Sequence, residues 1–269
     1  MASTSQQSQE QDLVDDSQKV KDTILASEWG SSNGGIGLLS KELAVQLAKL
    51  PEVDITIFLL RCSEGDKKEA VRNNVETVKT TRYPGFDELD WLNFPPEHLK
   101  MDVVAGYGLE LGRQAQNIKK SKNCKWVQVV HNDPEETEVF KSYSNQTAED
   151  LGSHNIEVEL CEIADLVVGV GPKLCAALRS YLRSCQKDHN VVEFTPGVFR
   201  EFATVKQSPH ERKHCKALVF GCGDKHDFSL KGFDIAGKAI ALTPETRLVF
   251  AGAPDGQMLQ KLINLLNGR

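Results

Sequence analysis

Short β-rich runs alternate along the chain with stretches of helical period, a pattern that predicts a parallel sheet covered by helices on both faces. The first strand is expected at residues 23–28, followed by a glycine-rich turn and a helix over 36–50. Leu39, Leu43, Leu47 and Leu50 recur at helical spacing and form its expected buried stripe, with Pro51 as the stop. Residues 53–60 are apolar enough for a strand buried on both faces. Residues 61–74 are charged and read as a surface segment or short helix, and 75–80 as a third strand. Pro84, Pro95 and Pro96, set among aromatics, suit an ordered loop over 83–98 better than a helix. Further strands are expected at 102–105, 126–130, 166–170 and 191–194, with helices near 109–119, 148–163 and 173–184. Pro172 stands where a helix tolerates proline, at its first turn.

The polar stretch 201–214 is a linker candidate. It divides the chain into a disordered tail at 1–20, a complete α/β domain at 21–200 and a second α/β unit at 215–269. In the second unit the pattern predicts a strand at 217–220, a glycine-rich loop at 221–232, a helix at 233–242, a strand at 247–251 and a helix at 257–266. Two βα repeats are fewer than a nucleotide-binding domain uses to cover both faces of its sheet, so this unit is expected to be incomplete.

With 269 residues, 40% of them apolar, the chain can bury a sizeable core. The net charge of −6 and the scattering of Lys and Arg leave no basic stripe, which argues against nucleic-acid binding. Seven cysteines, none in C-x-x-C spacing, suggest neither a zinc knuckle nor a disulfide framework but free thiols in a reducing compartment. No apolar run approaches the roughly 20 residues of a membrane span. The first residues, rich in Ser, Gln and Asp, lack the apolar stretch of a signal peptide, and Ala2 replaces the glycine that myristoylation needs. A cytoplasmic protein is expected.

The strongest local signal is the run from Glu28 to Gly37 (EWGSSNGGIG), which joins a strand to a helix. Glycines there let backbone approach a ligand, and a helix N-terminus offers free N–H donors to a phosphate. No Lys-Ser/Thr follows, so it is not a P-loop, and Gly35-Ile-Gly37 is followed by Leu, Leu and Ser40 rather than a third glycine, so it is not the dinucleotide fingerprint. A tight turn without any ligand is the plainer alternative. No Gly-x-Ser-x-Gly elbow occurs, and the Ser and Cys residues form no nucleophile set.

The strand, then Gly-Gly-x-Gly, then an apolar helix resembles the opening of the family 4 retaining glycosyltransferases, which have the two-Rossmann GT-B architecture. Further matches follow in order: Asp102 to Ala105 resembles the family's DVVH strand, Val129 to His131 its strand ending in histidine, and Ala164 to Pro172 its ADxVIxVS segment. Thr195 to Val198 stands where PNGV is usual, Phe220 to Gly223 with Lys231 to Asp234 resembles the GR…KG opening of the donor domain, and Arg247 to Gly252 the next strand. The likeness runs from residue 22 to 269. There are departures. Cys222 replaces the arginine that neutralises a diphosphate, Ala105 and Tyr107 occupy places where histidine is frequent, Pro196 replaces the asparagine of PNGV, and the paired-glutamate donor segment would lie beyond residue 269.

The resemblance implies a GT-B-like fold and transfer of a sugar, with retention, from a nucleoside-diphosphate sugar to an unknown acceptor. It requires no cofactor and no protein-bound metal; the nucleotide sugar is a co-substrate. Asn33, Gly34, Gly35 and Gly37 would let the loop reach donor phosphates and acceptor, His131 would contact the sugar, Lys231 would pair with the departing diphosphate, and Lys225 is a substitute for the missing arginine. Plainer readings stand beside these: a structural, hydrogen-bonded His131, a solvated Lys231, and Asp133, Glu135 and Glu136 merely beginning a helix, where acidic side chains suit the dipole. The alternative function is a non-catalytic nucleotide-sugar-binding or regulatory module on the same fold, joined to further domains in a longer natural chain.

Overall fold

The computed structural model describes residues 19–30, 35–135, 153–197, 204, 216–220, 232–243 and 246–251. The expected tail before residue 19, the linker (apart from Thr204), the loop 221–231 and the helix at 257–266 lie outside them.

Seven parallel strands form one sheet in the order β3-β2-β1-β4-β5-β6-β7. They are β1 (Val20–Glu28), β2 (Val53–Arg61), β3 (Glu76–Lys79), β4 (Val103–Tyr107), β5 (Lys125–Val130), β6 (Leu166–Val170) and β7 (Val191–Phe194). The helices described between them are α1 (Gly35–Leu47), α2 (Glu64–Arg72), α3 (Gly108–Lys122), α4 (Ser153–Ile163) and α5 (Pro172–Tyr181). The order runs to one edge from β1 and to the other from β4. Right-handed crossovers therefore place α1 and α2 on one face and α3, α4 and α5 on the other. β1 and β4 lie side by side with their connections leaving in opposite directions. This is the topological switch point at which open α/β sheets place their ligands.

Burial follows the expected periods. Residues 55–60 of β2 are all buried, as their unbroken apolar run predicts for an inner strand. The charged 61–74 stretch contains α2, opened by a capping box of Ser63 and Asp66. Within the 83–98 segment a 3-10 turn at Leu89–Asn93 stands where a crossover helix would otherwise lie. It packs on β2 and α3, with Gln114 donating to Asp90 at 3.2 Å and Asn117 to Asn93 at 3.0 Å.

α1 departs from the leucine stripe in an instructive way. Its most buried positions are Ser40 and Ala44, while Leu39, Leu43 and Leu47 are partly buried against the core beside them, and Leu50, beyond the helix end, is 47% exposed. Small residues mark the line of closest approach to the sheet, and the leucines pack beside it. The same economy recurs on the opposite face. A Cβ on Gly106 of β4 would collide with the Leu111 carbonyl and lie 2.8 Å from Ala115 Cβ, and one on Gly169 of β6 would lie 2.6 Å from Cys175 Sγ.

In the second unit β8 (Lys216–Phe220) pairs in parallel with β9 (Arg247–Ala251), and α6 (Phe233–Ala241) packs on β8. Among the described residues no helix is long and apolar enough to cross a membrane, and the described cysteines, Cys62, Cys124, Cys161, Cys175 and Cys185, form no disulfide.

Candidate functional site

The carboxyl ends of β1, β4 and β5 bring together the parts of the site that the structure describes. At the end of β1 the chain turns through Trp29 and Gly30, the latter at φ +68°. Trp29 is buried; its Nε1 donates to Glu69 of α2 at 3.0 Å, and Lys41 of α1 donates to the same carboxylate at 2.6 Å while lying 5.5 Å over the indole ring. The lysine and indole hydrogen bonds hold the Glu69 carboxyl below the usual carboxylate range. Strand, first helix and second helix are thus tied at one point, just before the glycine-rich turn.

α1 begins at Gly35, which is exposed and has open space where a side chain would be. Gly37 lies in the same first turn. The free N–H groups of that turn stand at the carboxyl end of β1, the arrangement that favours an anion. Asn33 and Gly34, which precede it, lie outside the described residues, as do Lys225, Lys231 and Cys222. The structure therefore places Gly35, Gly37 and His131 and leaves the other expected site residues unplaced.

His131 directly follows β5 and is half-buried. Its Nδ1 is shielded from solvent and meets no hydrogen-bond partner, and burial lowers its pKa below the ordinary histidine value. The hydrogen bond that a structural role would place at this nitrogen is not made in the structure. The ring rests against Gly108, the first residue of α3, held at φ +57°. A Cβ there would stand 3.1 Å from His131 Cε1 and 3.8 Å from Glu157 Oε1 of α4.

The acidic residues after His131 follow the plainer reading. Residues 134 and 135 are helical, and the Asp133 carboxylate accepts the Glu135 N–H at 3.1 Å, a helix-opening cap; Glu136 lies outside the described residues. Tyr181 of α5 donates to the same Asp133 oxygen at 2.9 Å. Tyr107, one of the two positions where histidine is frequent, is instead buried at the end of β4. Burial pushes its phenol up to about 12, with Ser40 of α1 pulling the other way. Ser40 in turn donates to the Ile36 carbonyl at 2.9 Å, inside the first turn of α1.

Sequence reasoning did not single out Gly106, Gly108, Gly112 or Gln128, which shape the β4–α3 corner. The available signal was the glycine spacing in the run from Gly106 to Gly112 (GYGLELG), which marks a close strand–helix approach.

A family profile described as family 4 glycosyltransferase in conflict systems matches residues 23–267. The chain belongs to that family. Solved structures agree on the fold of this family 4 chain. A sucrose-phosphate synthase from Thermosynechococcus elongatus superposes with a TM-score of 0.67 at 15% identity, over 93% of this chain and 68% of that one. HepE of Anabaena, solved in complex with UDP-glucose, gives 0.62 at 13% identity, over 92% and 65%. Arabidopsis thaliana UGT89C1, complexed with UDP-L-rhamnose, gives 0.53 at 12% identity, over 88% and 70%. The family 4 chain thus spans 68%, 65% and 70% of these structures, respectively. None of the curated proteins compared matches its sequence.

Proposed function

We propose that the chain binds a nucleoside-diphosphate sugar in the crevice at the β1–β4 switch point and serves the transfer of its sugar, with retention, to an acceptor. The observation that carries this reading is the pairing of two features along the carboxyl edge of the sheet. One is the first turn of α1, with its free amides at Gly35 and Gly37; the other is the half-buried His131 imidazole directly after β5. The amides suit a diphosphate, and the neutral imidazole suits a sugar hydroxyl.

In the reaction the bond from the anomeric carbon to the phosphate oxygen breaks, and a bond to the acceptor oxygen forms. The acceptor hydroxyl gives its proton to the departing diphosphate, on whose oxygen the charge develops as the bond breaks. Lys231 is assigned to that charge, with Lys225 as a second cation near the position that Cys222 leaves without an arginine. A cation placed where charge develops favours the transition state more than the ground state. Asn33 and Gly34, next to that turn in the sequence, are assigned to the same phosphates. Neither a resident cofactor nor a protein-bound metal is needed, and the free thiols suit work in the cytoplasm.

The test uses the full chain with UDP-, GDP- and ADP-sugars, following binding by calorimetry and release of free nucleotide by chromatography. Binding with release, weakened by Lys231→Ala and reduced about 10- to 100-fold in turnover by His131→Ala, supports transfer. Turnover unaffected by both substitutions overturns the site. Cys222 favours a second reading, a binding module without catalysis, which predicts heat on binding but no release of nucleotide. No heat with any nucleotide sugar sinks both.

A further inference from the structure

We infer that Gln128 is a positioning residue for this site: its buried amide locks the first turn of α3 onto β5 and so sets where the His131 imidazole stands. Gln128 is fully buried within β5, three residues before His131. Its Nε2 donates to the Gly108 carbonyl at 2.7 Å, a buried bond between the strand and the first residue of α3. The amide reaches that carbonyl because the helix carries no side chain in its path. A Cβ on Gly112 would lie 2.5 Å from Gln128 Oε1 and 2.8 Å from Nε2. On its other side Gly108 backs the histidine, its Cβ position being 3.1 Å from His131 Cε1. Amide, glycine and imidazole thus stand in sequence, and any shift of Gly108 moves the wall on which the ring rests.

Stability alone is a poor reason for this residue. Gln128 Oε1 is buried with no partner, which costs stability, whereas an apolar side chain of the same length would fill the space without that loss. An amide kept at that cost, beside a glycine held at φ +57° and another that opens space for it, marks a place where geometry has been favoured over stability. The consequence for turnover rests on the sugar-binding role proposed for His131; the placement of the ring does not.

The experiment follows the His131 imidazole signal of the full chain through a pH titration by NMR, with His131→Ala assigning the signal. Gln128→Met keeps the length of the side chain and removes the donor. In the wild type the ring is expected to titrate below the ordinary histidine value; in Gln128→Met the midpoint is expected to rise towards that value as the corner loosens. Gly112→Ala, which crowds the amide from the helix side, should move it in the same direction and serves where Gln128→Met fails to fold. In the wild type itself, the Gln128 side-chain amide protons should exchange as slowly as the backbone amides of β5. Rapid exchange overturns the inference, as does an unmoved His131 midpoint in a folded variant. With a nucleotide sugar that the wild type turns over, Gln128→Met is expected to lower kcat about 10- to 100-fold with a smaller change in KM. If the midpoint moves but the wild type turns over no nucleotide sugar, the positioning role stands and the proposed reaction falls.

Discussion

Asp22 of β1 and His131 after β5 are half-buried titratable groups whose effects on the pH dependence of the fold have opposite sign. Burial raises the Asp22 carboxyl to about 6, against a weaker pull from the Thr23 amide, and one of its oxygens meets no partner. The folded chain therefore holds this proton more tightly than the unfolded one, so the contribution of Asp22 is fully present below the unfolded value and is lost as pH rises towards 6. Asp22→Asn is expected to raise stability at pH 7.5 by about 1–3 kcal/mol and to change little at pH 4, as read from urea melts at both values. Equal effects at the two pH values would refute the burial account. His131, lowered by burial, acts the other way: the unfolded chain takes up the proton first, so stability falls as pH drops below the ordinary histidine range. Replacing His131 with Gln should flatten that acid-side loss in thermal melts; an unchanged profile would show that the ring is not desolvated. At this scale the sequence led to His131 through the resemblance to the family's strand ending in histidine. It offered no hint of Asp22, because a carboxylate at the start of a strand looks the same whether its oxygens face solvent or the sheet.

Among the described elements, the corner where β4 passes into α3 is closely packed. Gly106→Ala would push a methyl group into the Leu111 carbonyl and the Ala115 side chain, atoms that belong to a helix and cannot swing away. A loss of about 3 kcal/mol or more is expected in denaturant midpoint, with strand and helix signals lost together. A variant as stable as the wild type would mean that α3 stands further from β4 than described. Asp165 offers a gentler case. Burial pushes its carboxyl up, but hydrogen bonds from Lys119, the Trp126 amide and Lys125 outweigh that and hold it at about 2. Its contribution is present above the unfolded carboxylate value and is lost as pH falls towards 2, so Asp165→Asn should lower stability at pH 7 and not at pH 2. Element types and order were legible along the chain, because strands buried on both faces read as unbroken apolar runs. The 3-10 turn at Leu89–Asn93 was not, since three prolines nearby signal a loop, and only packing on β2 and α3 tightens part of it.

Across the described residues, the main apolar cluster draws its buried members from the span between Ile24 and Val191. A chain shortened to end at residue 197 is therefore expected to unfold in one cooperative step, with a melting temperature within a few degrees of the full protein. A shortened chain that melts broadly or not at all would show that the second unit completes the core of the first.

The alternation of apolar runs and helical stretches determined the class of fold, and the ordered motifs determined the family, because both are written in residue types at fixed spacings. Which strands lie side by side was decided only in three dimensions. Strand order depends on the hand of each crossover and on which helix covers which face, and neither leaves a local mark. The same holds for the site. Glycines at 35 and 37 announced an open turn, but the vacant nitrogen of His131, the glycine behind it and the amide of Gln128 become one arrangement only when β4 and β5 are hydrogen-bonded neighbours. Burial then strips these groups of water and gives their positions chemical meaning.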